Sequence, residues 1–301
     1  MLRIDHLNLW YLQALVVDLA IIVFLFLSLR FFKSLLLQVK AKDEIAEKDN
    51  FAFSISFAGG IFALAIMLTG VSAGEFKPSL SQEALSTSGF GIFGILLIII
   101  GRFFQDKVFV RNINLHDQVK SGNVAAAVVD VGNMIAIGVV VRGTMLWVQT
   151  EGLAAVPVIL FSWLISQIVL GLAATYRLMR FANVSKGEEN TCLQKAFEQG
   201  NVGLSIRYAG YIVGTAWAIT AASGMVYYVA DQVWLAAAAW GGVSALFAVV
   251  FAIIVILTRR LLLPGVDVDK EVDKEKNIGV ACIEASIFIS IGIVLAALFT
   301  S

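Results

Sequence analysis

The segment NVAAAVVDVGN, residues 123–133, opens an apolar helix directly behind an asparagine, and the chain does the same three more times. NFAFSISFAGG starts at Asn50, NVGLSIRYAGY at Asn201 and NIGVACIEASI at Asn277, which sets the asparagines 73, 78 and 76 residues apart. Each copy has the same order: an apolar run, one or more arginines, a charged connector of roughly twenty residues, the asparagine, and a second apolar run. The pattern predicts four tandem helical hairpins, with each asparagine serving as a helix N-cap whose side-chain oxygen takes an orphan backbone N–H.

Composition identifies the solvent. With 59% hydrophobic and 15% charged residues, the chain has too few polar groups to cover a water-facing surface. Its mean hydropathy is +0.87. Crossing about 30 Å of hydrocarbon takes about 20 mainly apolar residues. Eight stretches qualify: 9–30, 51–72, 87–109, 124–146, 153–176, 202–222, 233–257 and 278–299. The expected fold is an all-α membrane protein of eight transmembrane helices, arranged as two pseudo-symmetric four-helix halves, 1–150 and 151–301. The first stretch is too long for a cleaved signal peptide and is expected to stay as a span.

Of 22 Lys and Arg residues, 18 lie in or beside the connectors, from Arg30 to Lys48, Arg102 to Lys120, Arg177 to Lys195, and Arg259 to Lys276. The positive-inside rule then makes all four connectors cytoplasmic and places both termini outside. Acidic residues in the same connectors bring the net charge to zero, so nothing favours nucleic acid. The connectors read either as amphipathic collars at the headgroups or as a docking surface for a cytoplasmic partner. Pro264 and Gly265 should break the helix entering the fourth. Self-association is left open.

Motifs for chemistry are missing. Cys192 and Cys282 are too far apart in topology to pair, and His6 and His116 belong to no Cys/His cluster, so neither a metal nor a cofactor is expected. No phosphate loop or nucleophile elbow occurs, which argues against an enzyme.

Aligning the repeats singles out one column. Seven residues after the asparagine stand Phe57, Asp130, Tyr208 and Glu284, with Arg207 just before Tyr208. At 1.5 Å per residue this is about 10 Å into the helix, inside the hydrocarbon. A charge there costs roughly 2.5–3.5 kcal/mol on insertion scales, so these side chains should face the bundle interior. Asp18 adds a third acid in the first stretch. Asp18, Asp130 and Glu284 thus face a single base, Arg207, in a polar cluster that also includes Tyr208. Arg207 paired with Asp130 or Glu284 could simply pin the helices. The surplus of acid is what an ion or proton pathway would need. Gly59, Gly60, Gly132, Gly210, Gly214 and Gly292 mark faces for close helix approach. Arg142 is expected to snorkel, with Glu151 as a candidate partner.

The asparagine-initiated helix with small residues behind a charged connector resembles the bacterial inner-membrane family numbered 350 among the domains of unknown function. The resemblance covers nearly the whole chain. It implies a four-span unit carrying the pattern twice, here duplicated, in a bacterial inner membrane and associated with envelope-stress and polyamine-related genes. It supplies no catalytic residues. Two functions follow as expectations: ion, proton or small-cation handling through the polar cluster, or a non-transporting scaffold recruiting a cytoplasmic partner in an envelope-stress response.

Overall fold

The computed structural model describes residues 9–37, 41–73, 77–109, 113–148, 154–185 and 192–299. Its helices are α1 (Leu9–Leu37), α2 (Phe51–Val71), α3 (Leu80–Phe104), α4 (Leu115–Lys120), α5 (Val124–Trp147), α6 (Val156–Val184), α7 (Leu193–Glu198), α8 (Val202–Thr220), α9 (Ala222–Met225), α10 (Val233–Leu262) and α11 (Ile278–Phe299). No strand occurs among the described residues.

Every asparagine sits at the same kind of corner. A short helical turn ends three residues earlier: a π-turn over Asp43–Glu47 and Lys270–Lys274, an α-turn in α4 and α7. The residue immediately before the asparagine is left-handed in all four, with φ of 48° at Asp49, 90° at Gly122, 76° at Gly200 and 57° at Lys276. Glycine takes this conformation freely, whereas Asp49 and Lys276 hold it at about 1 kcal/mol each. The chain then turns into the long helix, and the asparagine Oδ1 accepts from the backbone N–H three residues on, at Phe53, Ala126, Leu204 and Val280.

The amide nitrogens do a second job. Asn50 Nδ2 donates to Glu44, and Asn277 Nδ2 to Glu271, in their own connectors. Asn50 also reaches the carbonyls of Val119 and Lys120 in the next connector, and Asn123 those of Phe197 and Glu198 in the one after it. One side chain therefore starts its own helix and satisfies the exposed carbonyl end of its neighbour's short helix, which ties successive repeats together.

The four helices that follow the asparagines form the core. They lie side by side in chain order, α2 on α5, α5 on α8 and α8 on α11. Glycine permits this closeness: a Cβ at Gly138 would meet the carbonyl of Ala63, and one at Gly214 the carbonyl of Phe288. The remaining long helices flank the row, with α1 on α3 and α6 on α10. Their outer faces are apolar and exposed, as at Leu19, Phe24, Leu172, Leu246 and Ile253, which suits lipid and not water.

Seven helices among the described residues are long and apolar enough to cross a membrane. The stretch 202–222, expected as an eighth span, is not one of them. It forms the 19-residue α8, which carries Arg207, Tyr208 and Tyr211 and is buried almost all round between α5 and α11. A helix sheathed in protein need not be apolar enough to face lipid. The third stretch, expected from residue 87, begins at Leu80 because Ser79 caps it through Gln82 N–H. α10 ends at Leu262, just before Pro264, and Gly265 turns with φ of 76°.

Candidate functional site

The connectors fold back against the starts of the long helices, and this decides which charges meet. Asp130, fully buried in α5, is gripped by Arg102 from the end of α3, Nε to Oδ1 at 2.6 Å and Nη2 to Oδ2 at 3.0 Å. Ser56 of α2 donates to the same carboxylate. Such a two-pronged contact is the strong form of a guanidinium–carboxylate pair. A second acid, Asp106, interacts with both Asp130 and Arg102, and its Oδ1 is buried without a hydrogen-bond partner. This cluster therefore holds two carboxylates and one guanidinium, with the exposed Lys107 as a further positive charge acting on Asp106.

Glu284 occupies the corresponding place in α11 but has a different environment. Arg207, fully buried in α8, meets three carboxylates: Glu284 through Nε at 2.5 Å, Asp269 through Nη2 at 2.5 Å and Asp273 through Nη1 at 2.6 Å. Arg259 of α10 adds a contact to Glu284 at 3.1 Å, and Arg180 of α6 one to Asp269 at 2.8 Å. Arg177, also in α6, is buried beside them, its guanidinium 5.9 Å from the Tyr211 ring centre. Four arginines thus surround three carboxylates.

Of the residues singled out in the sequence, only Arg207, Glu284 and Asp130 enter these clusters, and Asp130 is in a different one from the other two. Asp18 is apart from both, accepting from Thr87 Oγ1 at 2.8 Å between α1 and α3. Tyr208 is fully buried against Phe197, ring centres 5.5 Å apart, within electrostatic reach of Asp106 but with no hydrogen-bond partner for its hydroxyl among the described residues. The picture of three acids facing Arg207 alone does not hold, since Arg102 and Arg259 also supply positive charge and Asp106, Asp269 and Asp273 add negative charge. Those residues belong to connectors or helix ends, where snorkelling or solvation is the ordinary fate. The available signal was that a closed hairpin must bring the arginine ending one helix beside the first turns of the next. Arg142 bonds Thr69 Oγ1 at 2.9 Å and lies over Trp217. Its suggested partner Glu151 is outside the described residues, as is His6.

Electrostatics outside the spans follow from these contacts. Burial alone would raise the Asp269 carboxyl, but Arg207, Arg259 and Arg180 together hold it below its ordinary value. Burial prevails at Asp273 and pushes it up despite Arg207 and Arg177. Burial, aided by Arg102, lowers the His116 imidazole, which also senses Asp130. Further buried polar atoms lack partners among the described residues: both amide ends of Gln105, Asn133 and Gln167, the Ser162 hydroxyl and the Trp163 indole N–H. They lie on α5, α6 and the turn after α3, elements packed on one another.

No group of three or more His, Cys, Asp or Glu among the described residues is placed to hold a metal ion. No solved structure matches the chain. A UPF0719 transmembrane protein of Aquifex aeolicus (strain VF5) is 27% identical over 107 residues, which is 36% of this chain and 37% of the relative's own length. The chain thus spans little more than a third of that relative. The family model described as Domain of Unknown Function (DUF350) matches residues 6–145 and again 150–299. With its exposed apolar helices and two tandem matches that leave little of the sequence uncovered, this multi-pass membrane protein belongs to the DUF350 family.

Proposed function

We propose that the protein handles protons or small cations through the Asp106–Asp130 pair. The observation that carries this is the charge balance of the first cluster: fully buried Asp130 and half-buried Asp106 share Arg102, with only the exposed Lys107 adding positive charge beside Asp106. Uncompensated negative charge in a low-dielectric site is costly, and a proton or a small cation relieves it. His116, on the connector side, feels the charge of Asp130, and burial and Arg102 shift its imidazole toward the neutral form that can take up a proton. The orphan amides of Gln105, Asn133 and Gln167 are groups that water or a permeant ion can satisfy. In this reading the chain crosses a bacterial inner membrane eight times as two four-span units, 1–150 and 151–301, with cytoplasmic connectors and both termini outside. It performs no catalysis.

Two experiments test this. For topology, a cysteine at Ser121 in a thiol-free background should react only with reagents that reach the cytoplasm, and one at Ser81 from outside. Outside labelling of Ser121→Cys would contradict the orientation. For function, purified protein in liposomes loaded with a pH dye should pass protons or monovalent cations under an imposed gradient. A positioned proton carrier is worth about a hundredfold or more to a transfer rate, so Asp106→Asn should reduce flux by about that factor without unfolding the protein. Asp18→Asn, remote from the pair, should leave flux near wild type. If folded protein carries no proton, alkali-cation or polyamine flux, the transport reading fails, and a scaffold that recruits a cytoplasmic partner through its connectors takes its place.

A further inference from the structure

The second cluster has the opposite imbalance. Asp269, Asp273 and Glu284 are all engaged by Arg207, and the first and last also by Arg259. That leaves Arg177, only 6% exposed, with no ion pair among the described residues and with its Nε lacking a hydrogen-bond partner. The anions acting on it, Glu284 and Asp273, are both already bonded to Arg207, and Arg207 itself adds repulsion, so the buried guanidinium is left under-compensated. Arg177 lines a cavity of about 190 Å³ together with Tyr176, Arg180, Tyr211, Arg259 and Arg260. This far exceeds the roughly 10–15 Å³ that admits one water. Its one acidic wall, Glu284, is already held by Arg207 and Arg259. A second cavity of about 220 Å³ shares Arg259 and Arg260 and extends along the turn at Gly265 to Asp269.

We infer that the cavity between α6, α8, α10 and α11 is an oxyanion site for a phosphate group, with Arg177 as its central ligand and Arg260 at its rim. Guanidinium groups match phosphate oxygens in charge and in forked geometry. The site lies at the connector ends of the helices, the level at which basic pockets between membrane helices take lipid headgroups. The phosphate is supplied either by an anionic phospholipid or by a free phosphate in solution. The site is separate from the Asp106–Asp130 pair and does not depend on that pair's role.

The test uses the full chain in a neutral maltoside detergent at constant ionic strength. It is titrated with dihexanoyl phosphatidylglycerol, dihexanoyl phosphatidylcholine, inorganic phosphate or chloride while the thermal midpoint is followed by tryptophan fluorescence. A saturable rise with phosphatidylglycerol alone identifies a lipid headgroup, a rise with phosphate alone identifies a soluble phosphate, and a rise with both supports a site open to either. Arg177→Gln should weaken binding about tenfold, the equivalent of one lost charge-assisted bond. Arg260→Gln, an exposed position that leaves folding intact, should weaken it severalfold and decides the matter if Arg177→Gln does not fold. Arg142→Gln, at the far end of α5, should change nothing. No saturable shift, an equal response to phosphatidylcholine or chloride, or undiminished binding in Arg260→Gln overturns the proposal.

Discussion

Arg207→Gln should lower stability by about 3–5 kcal/mol, because it leaves Asp273 without an ion pair among the described residues and Asp269 and Glu284 with only the more exposed Arg180 and Arg259. At roughly 2–4 °C per kcal/mol for a chain of this size, the thermal midpoint in detergent should fall on the order of 10 °C. Arg207→Lys should recover only part of the loss. An ammonium is a single point of charge, whereas Nε, Nη1 and Nη2 of Arg207 each reach a different carboxylate. Adding Glu284→Gln to Arg207→Gln removes one stranded charge and should restore some stability, a coupling on the order of 1–3 kcal/mol. A midpoint for Arg207→Gln indistinguishable from wild type would show that the cluster contributes nothing to holding α8, α11 and the fourth connector together.

Gly214→Val should be almost as damaging, for steric reasons. The Cβ position at Gly214 is occupied by the carbonyl of Phe288 and the ring of Phe251, and that at Gly292 by the carbonyl of Gly214. α8 and α11 therefore touch backbone to backbone, and a branched side chain must force them apart. We expect a loss of about 3 kcal/mol, at the upper end for overpacking, seen as a lower thermal midpoint and a broadened size-exclusion peak. Gly242 of α10 supplies the opposite sign, since nothing lies within 4 Å of its Cβ position. Gly242→Ala should stabilise by about 0.5–1 kcal/mol through helix propensity. Equal effects at the two glycines would rule out the close α8–α11 packing.

Helix location proved far more legible than charge pairing. The four asparagine corners could be read because N-capping is local: one side chain and the N–H three residues on suffice. Glycine before Asn123 and Asn201 also carried a hint of the left-handed turn, which Asp49 and Lys276 concealed in the other two repeats. α8 shows where hydropathy fails, since a helix surrounded by other helices can carry Arg207 and two tyrosines that a lipid-facing one could not. The double use of Asn50 and Asn123 was hidden for another reason. Their second partners, Lys120 and Glu198 among them, are 70 and 75 residues away.

Residence in a bilayer, the tandem repeats and the position of Asp130 and Glu284 two turns into their helices were determined by the order of residues alone, because apolar length, capping and rise per residue are properties along one dimension. The pairing of Asp130 with Arg102 and of Glu284 with Arg207 was decided only in three dimensions. It depends on how each helix is rotated about its axis and where each connector folds back, and neither is encoded in position along the helix. The same folding divided one apparent excess of acid into two clusters of opposite imbalance, with Asp106 crowding Asp130 in one and Arg177 left beside an open cavity in the other.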